Sequence, residues 1–408
     1  MYGTALKALQ VECGDPPLQL HRNFLCQLYS NKVNIHTSHP NKQLQQDCWQ
    51  KHYFVEKWQK GFYHAPFEAR WNQTITSFPL HNPFPYWFYN EPFISTEIYD
   101  AIKSITDTNE RRLLSMEIIN TRWKHSLHIY TDGSLNPNTK KVGCSIYIPY
   151  FKYSKYVRIN DYTSIYTAEL FAVLLALEWI EEFQPLHVCI FMDCLSALQA
   201  IPQFNPNNKL ICDIRHALLN IRNRASIVVF EWIPGHCGIH GNEMADRLAK
   251  RAVNKVNNDV NLPLSLTTSE IKQILKEDTK FKWQAQWDGV GNSSLRLIKP
   301  QVSYGYKFWN LPRWQEIVIN RLRLGAFTNL KSYQHKIGKA PDGMCDKCQV
   351  YDDVEHFMLA CKKYDDSRNV LQRRLNYTKN LMTLKNILND KSNLSHVIRF
   401  IQECGLKL

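Results

Sequence analysis

The 408-residue chain has no long hydrophobic run. Its most apolar stretch, Leu170 to Ile180, is interrupted by Glu178 and is too short to span a bilayer. The N-terminus, Met-Tyr-Gly-Thr-Ala-Leu-Lys, lacks the charged-then-apolar pattern of a signal peptide. The 12 cysteines are scattered through a large chain, which excludes the dense disulfide framework of a small secreted domain. These absences lead to the expectation of an intracellular protein, nuclear or cytoplasmic, with reduced thiols and no membrane partner. The Asn-x-Ser/Thr matches at Asn72 and Asn292 then carry no glycosylation meaning. No internal repeat or low-complexity tract is present. Acidic residues are outnumbered, 37 Asp and Glu against 50 Lys and Arg, giving a net charge of +13. Such a balance favours a polyanionic partner, nucleic acid first, because phosphate neutralisation rewards distributed Lys and Arg.

What is present is an ordinary folded chain, 44% hydrophobic and 21% charged, with room for two or three domains. Residues 1–55 and 96–122 carry helical spacing. Between them, residues 61–93 interleave Pro66, Pro79, Pro83, Pro85 and Pro92 with many aromatics, which excludes a regular helix and predicts an irregular connection packed on a neighbouring domain. From Leu127 the period changes. Strands are predicted at 127–131, 142–150, 153–159, 187–192 and 226–233, and helices at 168–183, about 194–202, 209–223 and about 242–254. That order makes a mixed five-stranded α/β sheet covered by helices. Residues 255–340 read as mostly helical and rich in Lys, Arg and Trp, and a compact Cys/His segment follows at 343–362.

Four acids sit at strand ends or helix starts: Asp132 in Tyr-Thr-Asp-Gly-Ser, Glu169 in Thr-Ala-Glu-Leu, Asp193 in Met-Asp-Cys and Asp246 in Gly-Asn-Glu-Met-Ala-Asp. If the first and fourth predicted strands are parallel neighbours, Asp132 and Asp193 emerge at one sheet edge, where open α/β sheets bind ligands. Any one of the four alone is an ordinary turn or cap residue. Together they would repel one another unless cations are present, and hard oxygen ligands suit Mg²⁺. Two Mg²⁺ ions about 4 Å apart would activate a water and stabilise the leaving 3′-oxygen of a phosphodiester. His236, on the loop Trp-Ile-Pro-Gly-His-Cys-Gly, is placed to shuttle a proton.

These segments resemble type 1 ribonuclease H in the version carried by non-LTR retrotransposon polyproteins, over about 125–255. The resemblance implies a ribonuclease H-like three-layer fold and Asp132, Glu169, Asp193 and Asp246 as metal ligands. It implies His236 as the loop histidine, and Ser134 and Asn242 as polar residues near the backbone of a bound RNA–DNA hybrid. The implied activity is endonucleolytic cleavage of the hybrid's RNA strand with Mg²⁺, the 2′-hydroxyls marking the strand to be cut. Cys194 departs from the family, which often has Ser after the third acid. Residues 8–22 resemble the segment after a reverse transcriptase thumb. The resemblance therefore divides the chain into a thumb or connection remnant at 1–122, the nuclease at 125–255, a basic helical linker at 256–340 and a Cys/His tail at 341–408. A reverse transcriptase of the same element is the implied partner. Tyr-Asp-Asp at 351–353 and 364–366 does not fit a polymerase palm, and there is no room for fingers and palm. The competing reading is a catalytically inactive remnant that still binds nucleic acid.

Cys345-x₂-Cys348-x₇-His356-x₄-Cys361 has the spacing of a structural Zn²⁺ site of three thiolates and an imidazole. A similar knuckle follows ribonuclease H in many of these retroelements. Four unrelated residues in a helical tail is the alternative. Arg321, Arg323 and Lys331, just before it, read equally as phosphate contacts or as a solvated helix face.

Overall fold

The computed structural model describes residues 5–35, 39–41, 43, 92–203, 208–224, 226–255, 266–291 and 293–406. The proline- and aromatic-rich stretch expected at 61–93 lies outside the described residues except for its last two, as do Asn72 and Asn292. The chain divides into two compact units, Cys26–Ile274 on one side and Met1–Leu25 with Leu275–Leu408 on the other. The first 25 residues therefore share a unit with residue 275 onward. Among the described residues no helix is long and apolar enough to cross a membrane.

The first unit is built from β1 (Phe93–Ser95), α1 (Glu97–Ile102), α2 (Thr108–Arg122), β2 (Leu127–Leu135), β3 (Val142–Ile148) and β4 (Tyr153–Ile159). These are followed by α3 (Ile165–Phe183), β5 (His187–Met192), α4 (Leu195–Ala200), α5 (Lys209–Asn223), β6 (Ile227–Trp232), α6 (His240–Val253) and the start of α7 (Thr268–Asp288). The strands form one mixed sheet in the order β1-β6-β5-β2-β3-β4. β1, β6, β5 and β2 run parallel, while β3 and β4 are antiparallel hairpin strands. β5, Val-Cys-Ile-Phe-Met after its first residue, is buried along that whole run, as expected of a central parallel strand covered on both faces.

Two glycines show the layering. A Cβ on Gly133 would fall 2.9 Å from Ala168 Cβ of α3, and one on Gly143 would fall 2.6 Å from Ala252 Cβ of α6. Gly143 pairs with Ser134, the neighbour of Gly133 and so on the opposite side of the pleat. α3 and α6 therefore cover opposite faces, which gives the three layers of a ribonuclease H-like fold.

Three expectations are corrected. The sheet has six strands, not five: Phe93, Ile94 and Ser95 pair with Val229, Phe230 and Glu231. Three residues after a run of prolines carry no usable period. They are held instead by pairing with β6 and by the buried Glu231, which bonds the Ser95 side chain and also accepts from Ile98 N–H at 3.3 Å and Trp123 Nε1–H at 3.2 Å just beyond the strand. Second, Asp132 lies inside β2 and not past its end. Pairing with β3 continues to Leu135, whereas pairing with β5 stops at Tyr130. Third, α3 begins at Ile165, three residues earlier than expected, because Ser164 caps it by accepting Thr167 N–H at 3.1 Å.

In the second unit, the remainder of α7 from Leu275 joins the helices Leu6–Cys13, Arg313–Arg323, Asp365–Leu375 and Lys391–Glu403 and several shorter ones. One core gathers Trp309, Ile319, Phe357 and Phe400, and another gathers Val11, Trp283, Trp287 and Leu295. The N-terminal helix is fixed by Glu12, whose carboxylate takes Arg323 Nε at 2.5 Å and an Arg323 terminal nitrogen at 3.1 Å. Arg323 also lies 5.3 Å over the Trp309 ring and is 3% exposed. It is neither a phosphate contact nor part of a solvated face. Helical spacing could not reveal this, since its partner is 311 residues away. Lys331 pairs with Asp346.

Candidate active site

β2 and β5 are parallel neighbours, so Asp132 and Asp193 come out at the same end of the sheet. Asp193 follows the last residue of β5 and is held from three sides. Trp232 Nε1–H donates to its backbone carbonyl at 2.9 Å. Asn242 Nδ2–H donates to its Oδ2 at 3.2 Å. The loop after β6 passes so close that a Cβ on Gly235 would lie 2.8 Å from Oδ2. Glu169, in the second turn of α3, accepts the Gly133 N–H from the residue after Asp132.

One ligand oxygen from each of Asp132, Glu169 and Asp193 lies within 4.8 Å of the other two. Asp132 Oδ2 and Glu169 Oε2 are buried without a hydrogen-bond partner. Burial, and then the charges of Asp193 and Asp246, push the Asp132 carboxyl up to about 8. Burial and then Asp132 and Asp193 push Glu169 well above its usual range. Asp193 is also raised by burial, with the Asn242 hydrogen bond and the charge of His236 opposing the rise. Buried acids that repel one another and keep unsatisfied oxygens suit a divalent cation with hard oxygen ligands.

The fourth acid stands slightly apart. Asp246 groups with His236 and Glu243, again with ligand atoms within 4.8 Å. Its charge still acts on both Asp132 and Asp193, and Lys250 Nζ sits 2.7 Å from its Oδ2. α6 is fixed beside Asp246 by Ser145 Oγ–H, which donates to Ala245 O at 2.7 Å. His236 is exposed and has a positive φ of 54°, on a loop tied back by Gly238 N–H to Glu243 Oε1 at 3.2 Å. Of the two residues expected near a hybrid backbone, Ser134 is half-buried in β2. Asn242 is 2% exposed and turned inward onto Asp193. Cys194 Sγ lies 3.3 Å from Ser196 Oγ.

Sequence reading missed Glu243, Lys250 and Trp232. Glu243 was legible, standing three residues before Asp246 and therefore on the same helix face. Trp232 was not, because its task is set by a cross-strand contact.

The Cys/His segment is also brought together: Cys345 Sγ, Cys348 Sγ, a His356 ring nitrogen and Cys361 Sγ lie within 4.8 Å of one another. Cys345 and Cys348 sit on a tight turn closed by Cys345 N–H to Val350 O at 2.8 Å. His356 and Cys361 bracket one wide helical turn, with Cys361 N–H bonded to His356 O at 2.7 Å. Arg368 clamps this turn by donating to Cys361 O at 2.6 Å and Met358 O at 3.1 Å. Cys345 and Cys361 are unbridged, and their sulfurs are 3.7 Å apart. Two thiolates on one tetrahedral zinc ion at 2.3 Å would be about 3.8 Å apart. His356 Nε2 is buried without a partner. Donors and spacing both fit Zn²⁺.

Comparison with known proteins adds to this geometry. The family model for RNase H matches residues 124–254. A ribonuclease H of Ruthia magnifica subsp. Calyptogena magnifica is 28% identical over 141 residues, covering 32% of this chain and 96% of that protein. Residues 124–254 are thus a ribonuclease H domain, which supports ribonuclease H activity in the chain that carries it.

Proposed function

We propose that the protein cuts the RNA strand of RNA–DNA hybrids by phosphodiester hydrolysis, with Asp132, Glu169, Asp193 and Asp246 holding two Mg²⁺ ions. The observation that carries this is the group of Asp132, Glu169 and Asp193 within 4.8 Å, with buried oxygens left unpartnered. Bound cations supply the positive charge and the acidified water that such a hydrolysis needs. The chain's own residues do the rest. Asn242 and Trp232 hold Asp193 by side chain and by backbone. Gly133 N–H orients the Glu169 carboxylate. His236, exposed beside Asp246, carries a proton toward the leaving 3′-oxygen. Lys250 holds the Asp246 carboxylate.

In the second unit, Cys345, Cys348, His356 and Cys361 hold a structural Zn²⁺. The reading carries with it an origin in a non-LTR retroelement, a reverse transcriptase of that element as partner, and an intracellular site of action, nuclear or cytoplasmic. The test is incubation with a labelled RNA–DNA hybrid and Mg²⁺ beside Asp193→Asn. Cleavage that depends on Asp193 is expected. Hybrid binding without such cleavage would replace this reading by that of an inactive binding remnant.

A further inference from the structure

Glu270 lies beyond the matched domain, in the first turn of α7, and is 5% exposed. Its carboxylate is shared between two helix starts. Oε1 accepts Ser164 N–H at 2.6 Å and the Thr167 hydroxyl at 2.7 Å. Oε2 accepts Thr267 N–H at 2.8 Å and the Thr267 hydroxyl at 2.9 Å. The Thr267 bonds are the usual cap of its own helix. The Ser164 and Thr167 bonds are not local: they reach more than 100 residues back to the start of α3. Ser164 and Thr167 also bond each other, their hydroxyl oxygens 2.9 Å apart.

Thr167 is two residues before Glu169. The same stretch of α3 is pressed against β2 beside Asp132: a Cβ on Gly133 would lie 2.9 Å from Ala168 Cβ and 2.9 Å from the Glu169 nitrogen. No slack therefore separates the first turns of α3 from the strand that carries Asp132. Any shift of that turn moves Glu169 relative to Asp132 and Asp193. A buried carboxylate with four donors on it is a firm anchor for this turn.

We propose that Glu270 is a positioning residue for the cation site: it clamps the first turn of α3 and so sets Glu169 against Asp132 and Asp193. The working nuclease then extends through residue 270, past the end of the matched domain at 254. The proposal rests on the cation-dependent reading above.

The test uses the full chain and two conservative variants. Glu270→Gln leaves a carbonyl oxygen for only one of the two helix starts. Thr167→Val keeps the shape and removes one hydroxyl. Mg²⁺ binding is measured by calorimetry without nucleic acid, and amide hydrogen exchange is followed over 165–170. Each variant is expected to weaken Mg²⁺ binding about tenfold, as for other supports of metal ligands. Exchange over 165–170 is expected to quicken about tenfold. The double variant should be little worse than either single one, because both break the same clamp. Unchanged Mg²⁺ affinity in folded Glu270→Gln and Thr167→Val would overturn the proposal, as would a lowered melting temperature with no change in Mg²⁺ binding. A parent chain that neither binds Mg²⁺ nor cuts hybrid would instead remove the reading on which the clamp rests.

Discussion

The two candidate metal centres have one physical signature and opposite chemistry. In the nuclease unit, three carboxylates share one buried space, with Asp132 Oδ2 and Glu169 Oε2 unpartnered. In the second unit, three thiols and an imidazole share another, with His356 Nε2 unpartnered. The hard oxygens suit Mg²⁺ and an open coordination sphere where chemistry occurs. The thiols suit Zn²⁺ in a closed one that holds a fold together. The carboxylate centre is costly without its cation because like charges are crowded together. In the thiol centre the shifts are mixed: burial pushes Cys361 up to about 12, while the Lys362 N–H bond lowers Cys348. An empty carboxylate centre is therefore under electrostatic strain, whereas an empty thiol centre mainly loses a cross-link.

The contrast breaks most sharply in function. Asp193→Asn should lower hybrid cleavage by more than about a hundredfold, since losing even an outer support of a metal ligand costs about 10- to 100-fold. Cys345→Ser should leave hybrid cleavage standing while zinc content falls in metal analysis. Unchanged zinc would rule out the ligand set. Next in size is Arg323→Met, which strands the buried Glu12 carboxylate. The second unit should lose about 3–5 kcal/mol in denaturant unfolding.

The acidity of the two centres offers a finer separation. Asp132, Glu169 and Asp193 are all raised in the fold above their unfolded values. A raised carboxyl favours folding while protonated. That contribution is complete below the ordinary 3.8 of an Asp and is lost as pH rises through the folded value, about 8 for Asp132. Metal-free protein should therefore melt at falling temperature as pH is raised from about 5 to about 8.5, and Mg²⁺ should reverse the fall most at the alkaline end. The smallest effect is local: Ser145→Ala removes the bond to Ala245 O beside Asp246 and should cost about 1 kcal/mol.

How much could be read from sequence also differs between the centres. The thiol centre spans 17 residues, and its spacing alone assembled it. The acids span more than a hundred residues, and only strand placement made them neighbours. The sequence placed β5 at 187–192 correctly, but its parallel pairing with β2 was only a condition there, and the fold supplies it. The grouping of Asp246 with Glu243 and His236 was half-visible in Gly-Asn-Glu-Met-Ala-Asp. The supports were not visible. Trp232 on the Asp193 carbonyl, Glu231 on Ile98 and Trp123, and Glu270 on Ser164 and Thr167 all act across long separations. Spacing along the chain cannot encode them. The same holds for Arg323, which looked like a surface cation until the N-terminal helix brought Glu12 to it.

The central claim is that Asp132, Glu169 and Asp193 form a cation site strained in the cation's absence. The direct measurement is the melting temperature of the parent and of Asp132→Asn at about pH 8, with and without Mg²⁺. Metal-free Asp132→Asn should melt no lower than the parent, because one repelling charge is gone, and Mg²⁺ should raise the parent but not the variant. Equal Mg²⁺ shifts in both proteins, or a metal-free variant that melts well below the parent, would contradict it.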